Sequence, residues 1–136
     1  MKPKESFVRV ESAAQAAAII RSALPKDQKE ERVFVLPLDA NGKMLAKPIL
    51  VSVGHQDGTA TIDAGAIFRE ALAARAEEII VAHNHPSGDP TPSEANIAAT
   101  RELKDLARRL GVVFLDHLVI GDAKKDAFVS LAELYD

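Results

Sequence analysis

The almost wholly apolar run Glu78-Ile79-Ile80-Val81-Ala82, leading straight into His83-Asn84-His85, constrains this chain more than any other stretch. A short, continuous apolar run of this kind marks a strand covered on both faces, as in sheets with helices packed above and below. The two histidines then stand at the strand's carboxyl end, where open α/β sheets gather their ligands. Neutral imidazoles are preferred zinc ligands, and a pair held one residue apart needs only a third donor to leave one coordination position for water.

The surrounding segments read as alternating helices and strands. Ser12 is placed to cap a helix, with Gln15 reaching back in a capping box, and Ala13, Ala16, Ala17, Ile20 and Leu24 recur at helical spacing until Pro25. Lys26 to Arg32 reads as a solvated connection. Val33 to Leu38 and Ile49 to Val53 flank Asp39-Ala40-Asn41-Gly42, a hairpin signal, while Pro37 and Pro48 predict an edge strand or a bulge in that pair. Asp63 is the expected N-cap of a helix carrying Ile67, Phe68, Ala71 and Leu72. After the histidines, Thr91 is expected as N-cap, with Pro92 at the first helical position, Glu94 closing a capping box and Gly111 ending the helix. Ser93 and Asn96 then sit three apart on one face, able to point back toward His83 and His85. A last strand, Val112 to Ile120, is apolar except for Asp116-His117, which must face opposite sides of the sheet.

A length of 136 residues and a 47% hydrophobic composition suit one packed domain, with residues 1–32 forming a helix and connection packed on the same body as residues 33–136. With no cysteine, disulfides and thiolate ligands are excluded, so zinc would rest on nitrogen and oxygen donors. The N-terminus leads into no apolar signal region and no run is long enough to span a bilayer, so the expected setting is the cytoplasm. A net charge of −3 argues against general attraction to nucleic acid. Arg101, Lys104 and Arg108 share a helical face that could meet phosphates, but Glu102 and Asp105 make it a mixed, solvated surface.

The segment His83-Asn84-His85-Pro86-Ser87-Gly88-Asp89-Pro90-Thr91-Pro92-Ser93 resembles the JAMM signature of JAB/MPN metallopeptidases, in the form seen in RadC-like proteins. The hairpin around Asn41-Gly42, the helix before Glu78 and Leu115-Asp116-His117-Leu118 extend the resemblance over roughly Val33 to Gly121. It implies an α/β fold in which a mixed sheet is flanked by helices, the three-layer JAB/MPN architecture of cytidine-deaminase-like proteins. Residues 1–32 do not resemble the helix-hairpin-helix region usual in RadC proteins, so a DNA-binding half is expected to be absent.

The resemblance further implies a zinc ion held by two histidines and an acidic residue, a glutamate on an earlier strand that activates water, and a serine that assists the tetrahedral intermediate. Carried over by position, the metal ligands are His83, His85 and Asn96, and the serine is Ser93. Asn96 is an amide, and Lys47-Pro48-Ile49-Leu50, where the glutamate is expected, holds no acid. Asp89 is a candidate replacement ligand, and Asp57, Asp63 and Glu70 are conceivable bases. A missing general base costs roughly 10²- to 10⁴-fold in rate, so the expected site is degenerate, with zinc weakly held or absent. His55 is given no role. His117 reads as a satisfied core or edge histidine rather than a third ligand, and Asp116 as the better partner for a ligating histidine, with an ordinary structural hydrogen bond as the alternative.

Three functions follow: a metallopeptidase-like scaffold, impaired in hydrolysis, that binds a peptide or protein; an active zinc-dependent peptide or isopeptide hydrolase; or a DNA-repair-associated accessory protein, suggested by the RadC resemblance.

Overall fold

The central run is the middle strand of a five-stranded sheet. The computed structural model describes residues 7–54 and 62–135. Among these, β1 (Arg32–Leu38), β2 (Ile49–Val53), β3 (Glu78–Asn84), β4 (Val113–Ile120) and β5 (Phe128–Ser130) lie in the order β2-β1-β3-β4-β5. β3 pairs antiparallel with β1 and parallel with β4, so the sheet is mixed. Four helices accompany it: α1 (Ala13–Ser22), α2 (Ala64–Ala73), α3 (Glu94–Leu110) and the short α4 (Leu131–Tyr135).

Strand alternation sorts the core into two halves. Val33, Val35, Ile79 and Val81 face one side and pack with Ile67, Phe68 and Ala71 of α2 and Leu103 and Ala107 of α3. Phe34, Leu36, Ile80, Ala82, Leu118 and Ile120 face the other and pack with Ala16, Ala17 and Ile20 of α1. The result is three layers, helix, sheet and helix, as the resemblance implies, and it explains why β3 can be apolar throughout.

Local signals account for most boundaries. Ser12 caps α1 by accepting from the Gln15 N–H, although the Gln15 side-chain Oε1 takes the N–H of Glu11 rather than that of the cap residue. Asp63 caps α2, and Gly111 ends α3 in the left-handed conformation at φ 73°. Gly42, at φ 78°, donates to the Asp39 carbonyl in the turn after β1. β2 is the edge strand and β1 carries an irregularity between Val33 and Phe34. Pro37 costs no ladder bond because it lies beyond the last β1–β2 pair, Val35 with Ile49, on the side where its carbonyl accepts from Leu45. α3 starts two residues later than Thr91 predicts. Ser93 is its N-cap and Asn96 closes the capping box, whereas the Thr91 N–H and hydroxyl both bind the Asp89 carboxylate.

Candidate metal centre

His83 lies on the same face of β3 as Ile79 and Val81, beneath the first turns of α3. Two register pairs, Val33 with His83 and Val81 with His117, bring β1 and β4 beside it. Reading β1 back by two residues from Val33 puts Glu31 on this face too. Glu31 is 4% exposed, His83 and His117 are fully buried, and His85 is half-buried at the rim. α3 answers with a stripe whose first buried positions, Asn96 and Thr100, are polar and whose later ones, Leu103 and Ala107, are apolar. The helix therefore changes from polar to apolar where the sheet changes from histidine to valine and isoleucine.

Hydrogen bonds fix where the protons sit. Thr100 Oγ1 donates its single proton to the Asn96 carbonyl at 2.9 Å, so toward His117 Nδ1, at 2.7 Å, it can only accept. His117 is therefore the Nδ1–H tautomer, and its Nε2 accepts from His83 Nδ1 at 2.8 Å. His83 Nε2 is left with a lone pair. His85 Nδ1 faces the Asp89 carbonyl at 2.9 Å and must donate to it, so His85 Nε2 also presents a lone pair. These two nitrogens lie 3.2 Å apart, with Glu31 Oε1 3.8 Å from His83 Nε2. Ligand atoms of Glu31, His83 and His85 all fall within 4.8 Å of one another.

Facing lone pairs at that distance repel unless a cation lies between them. Tetrahedral zinc with nitrogen ligands at 2.0–2.1 Å requires an N···N edge of about 3.3–3.4 Å, close to the observed spacing. The donor set fits a borderline-soft divalent ion held by imidazole and carboxylate. Protonation agrees. Burial, reinforced by His117 and His85, drives the His83 pKa well below the ordinary range, and burial with His85 pulls His117 down to about 4. Both are neutral near pH 7, as ligation and relay require. Burial pushes the Glu31 carboxyl upward, with the nearby His85 opposing it.

The backbone around Glu31 is clamped. Asn84, between the two histidines and facing the opposite side, accepts from the Arg32 N–H at 2.7 Å and donates to the Glu30 carbonyl at 3.1 Å. The Glu31 carbonyl accepts from the Gly54 N–H at 2.7 Å. The histidine loop is fixed from the other side, by His85 N–H to the Ile120 carbonyl and Asp122 N–H to the Gly88 carbonyl. Gly121 permits this approach, since a Cβ there would lie 2.5 Å from the Gly88 oxygen.

Several expectations need correction. The carboxylate near the histidines is not absent, and it does not come from Lys47 to Leu50, whose last two residues open edge strand β2. It is Glu31, from a stretch read as solvated because its neighbours are charged. Asn96 is buried beside the histidines, but its Oδ1 accepts from the Ser93 N–H at 2.9 Å, and Ser93 Oγ accepts from the Asn96 N–H at 3.1 Å. Both residues form the start of α3, the Asn96 side chain also reaches His83, and Glu31 is the carboxylate that faces the imidazoles. Asp89 contributes its carbonyl to His85 while its exposed carboxylate binds Thr91. Asp63 is a helix cap and Glu70 is exposed on α2. His55 and Asp57 lie outside the described residues. His117 is a satisfied buried histidine, as expected, but its partner is the candidate ligand His83, while Asp116 makes ordinary structural hydrogen bonds on the other side of the sheet. On α3, Arg108 pairs with Asp105 at 2.7 Å, in keeping with a mixed surface.

Architecture and site together define an α/β domain with two histidines and a carboxylate converging at the carboxyl end of its central strand. This chain belongs to the RadC-like JAB domain family, whose model matches residues 10–135. It is 35% identical over 126 residues to a UPF0758 protein of Clostridium perfringens, covering 93% of this chain and 53% of that protein. It is 41% identical over 97 residues to one from Carboxydothermus hydrogenoformans, covering 71% and 42%, and 52% identical over 67 residues to one from a Geobacillus strain, covering 49% and 28%. The chain spans about half the length, or less, of these relatives. No helix among the described residues is long and apolar enough to cross a membrane.

Proposed function

We propose that this domain is a zinc-dependent hydrolase of peptide or isopeptide bonds, with His83 and His85 as ligands and Glu31 as the proton-handling carboxylate. The observation that carries this reading is the pair of imidazole Nε2 atoms 3.2 Å apart beside a buried carboxylate. Zinc held there would act as a Lewis acid on water and on the substrate carbonyl. Glu31 takes the proton from the attacking water as the C–O bond forms, then returns it to the leaving nitrogen as the C–N bond breaks. Burial raises its pKa and so strengthens it as a proton acceptor, with the nearby His85 opposing the shift. Ser93, exposed at the mouth of α3, keeps its hydroxyl proton for the carbonyl oxygen while its lone pair holds the Asn96 N–H.

The test is metal analysis and cleavage of peptide and isopeptide substrates by the wild type and Glu31→Gln. The variant should retain zinc and lose turnover by roughly 10²- to 10⁴-fold. Zinc-loaded wild type that cleaves none of these substrates would instead favour a second reading, a binding scaffold for a peptide or protein. The neutral amide of Asn96 supports that alternative, since it adds no negative charge to hold the ion. Asn96→Asp should then raise zinc occupancy without producing turnover.

A further inference from the structure

Resting on the zinc reading of this site, we propose that His117 and Thr100 are positioning residues that hold His83 in the Nδ1–H tautomer, keeping its Nε2 lone pair aimed at the ion. A neutral imidazole exchanges between two tautomers, of which only one can ligate through Nε2. Here the choice is made three hydrogen bonds away, at the Asn96 carbonyl. A backbone carbonyl only accepts, so Thr100 Oγ1 must donate to it, His117 Nδ1 must donate to Thr100, and His83 Nδ1 must donate to His117. No member of this chain can reverse without leaving a buried polar pair unmatched.

The geometry is built for this. Thr100 stands one helical turn beyond Asn96, so its hydroxyl reaches that carbonyl without distorting α3. His117 and His83 are diagonal neighbours on adjacent parallel strands, with ring centroids 4.8 Å apart. His85 has a one-step version of the same device, its Nδ1 donating directly to the Asp89 carbonyl. Each imidazole is thus oriented by a main-chain acceptor, His85 directly and the buried His83 through His117 and Thr100.

The full chain is compared with Thr100→Val, Thr100→Ser, His117→Leu and His117→Gln. Zinc Kd is read by competition with a chromophoric chelator, and the His83 tautomer by long-range ¹H–¹⁵N spectra of metal-free protein. Wild type should show His83 as Nδ1–H. Thr100→Val and His117→Leu should weaken zinc roughly 10- to 100-fold and shift the His83 nitrogens, whereas Thr100→Ser and His117→Gln, which keep an acceptor for each donor, should stay near wild type. If His117→Leu does not fold, the Thr100 pair and His117→Gln carry the test. Unchanged zinc Kd in Thr100→Val and every folded His117 variant overturns the positioning role and leaves the zinc site standing. No zinc uptake by wild type overturns both, as would Nε2–H at His83.

Discussion

The sheet carries a buried polar cluster on each face, and the two differ in how their hydrogen bonds end. On the α1 side, Asp116 Oδ1 accepts from the His117 and Ala132 N–H groups at 2.7 and 3.0 Å, and its Oδ2 accepts from Ser130 Oγ at 2.6 Å. That carboxylate is matched by donors and ties α4 and β5 to β4. On the α3 side the chain from Asn96 through Thr100, His117 and His83 finishes in a lone pair that meets another lone pair. Saturated polar clusters hold a fold together, and an unsaturated one marks where a ligand completes the structure. Asp116 and His117 are adjacent in sequence, so the distinction between scaffold and site here is a matter of strand parity.

That contrast can be broken most forcefully at Asp116. Replacing it with Ala strands buried donors and should cost about 3 kcal/mol in chemical denaturation of metal-free protein, while zinc affinity shifts by less than about threefold. A large loss of zinc affinity with stability intact would put Asp116 in the site after all. Acid should separate the clusters next. His83 and His117 have depressed pKa values when folded, so their contribution is fully present above the unfolded value of 6.5 and is lost as the pH falls toward the His117 value of about 4. For His117 alone this is roughly 3 kcal/mol at most. Glu31, shifted upward, works with the opposite sign and blunts the slope. Denaturation of chelator-treated protein between pH 7 and 4 measures the sum, and a flat profile would contradict the buried neutral pair. The smallest effect belongs to Asp89→Ala. Its carboxylate is exposed and touches Thr91, so stability should change little, with zinc Kd nearly unchanged. A marked loss of zinc would make that side chain a ligand.

Much of this was legible in the residues because periodicity and capping are local. The run into His83 identified the central strand, Asp63 and Gly111 marked helix ends, and alternation required Asp116 and His117 to part company. What stayed hidden depended on register. Glu31 is flanked by charged residues, and only the pairing of Val33 with His83 reveals that β1 carries it to the histidines. Which of Asp116 and His117 faces α3 follows from Leu118 and Ile120 joining the α1 core, a tertiary fact. Thr100 had a readable signal, the spacing Asn96, Thr100, Leu103, Ala107, but nothing in that spacing names the imidazole it meets. The start of α3 slipped by two residues because Thr91-Pro92 and Ser93 both satisfy capping chemistry, and Asp89 claims the first.

The bare backbone at Gly121 has a consequence beyond accommodating its neighbour. By letting the loop that bears His85 lie against the exit of β4, it makes that loop and the last strand and helix of the chain a single mechanical unit. An ion held at one end would act as a rivet for the other, slowing amide exchange far from the histidines, and a methyl group at this single position would pry the two apart.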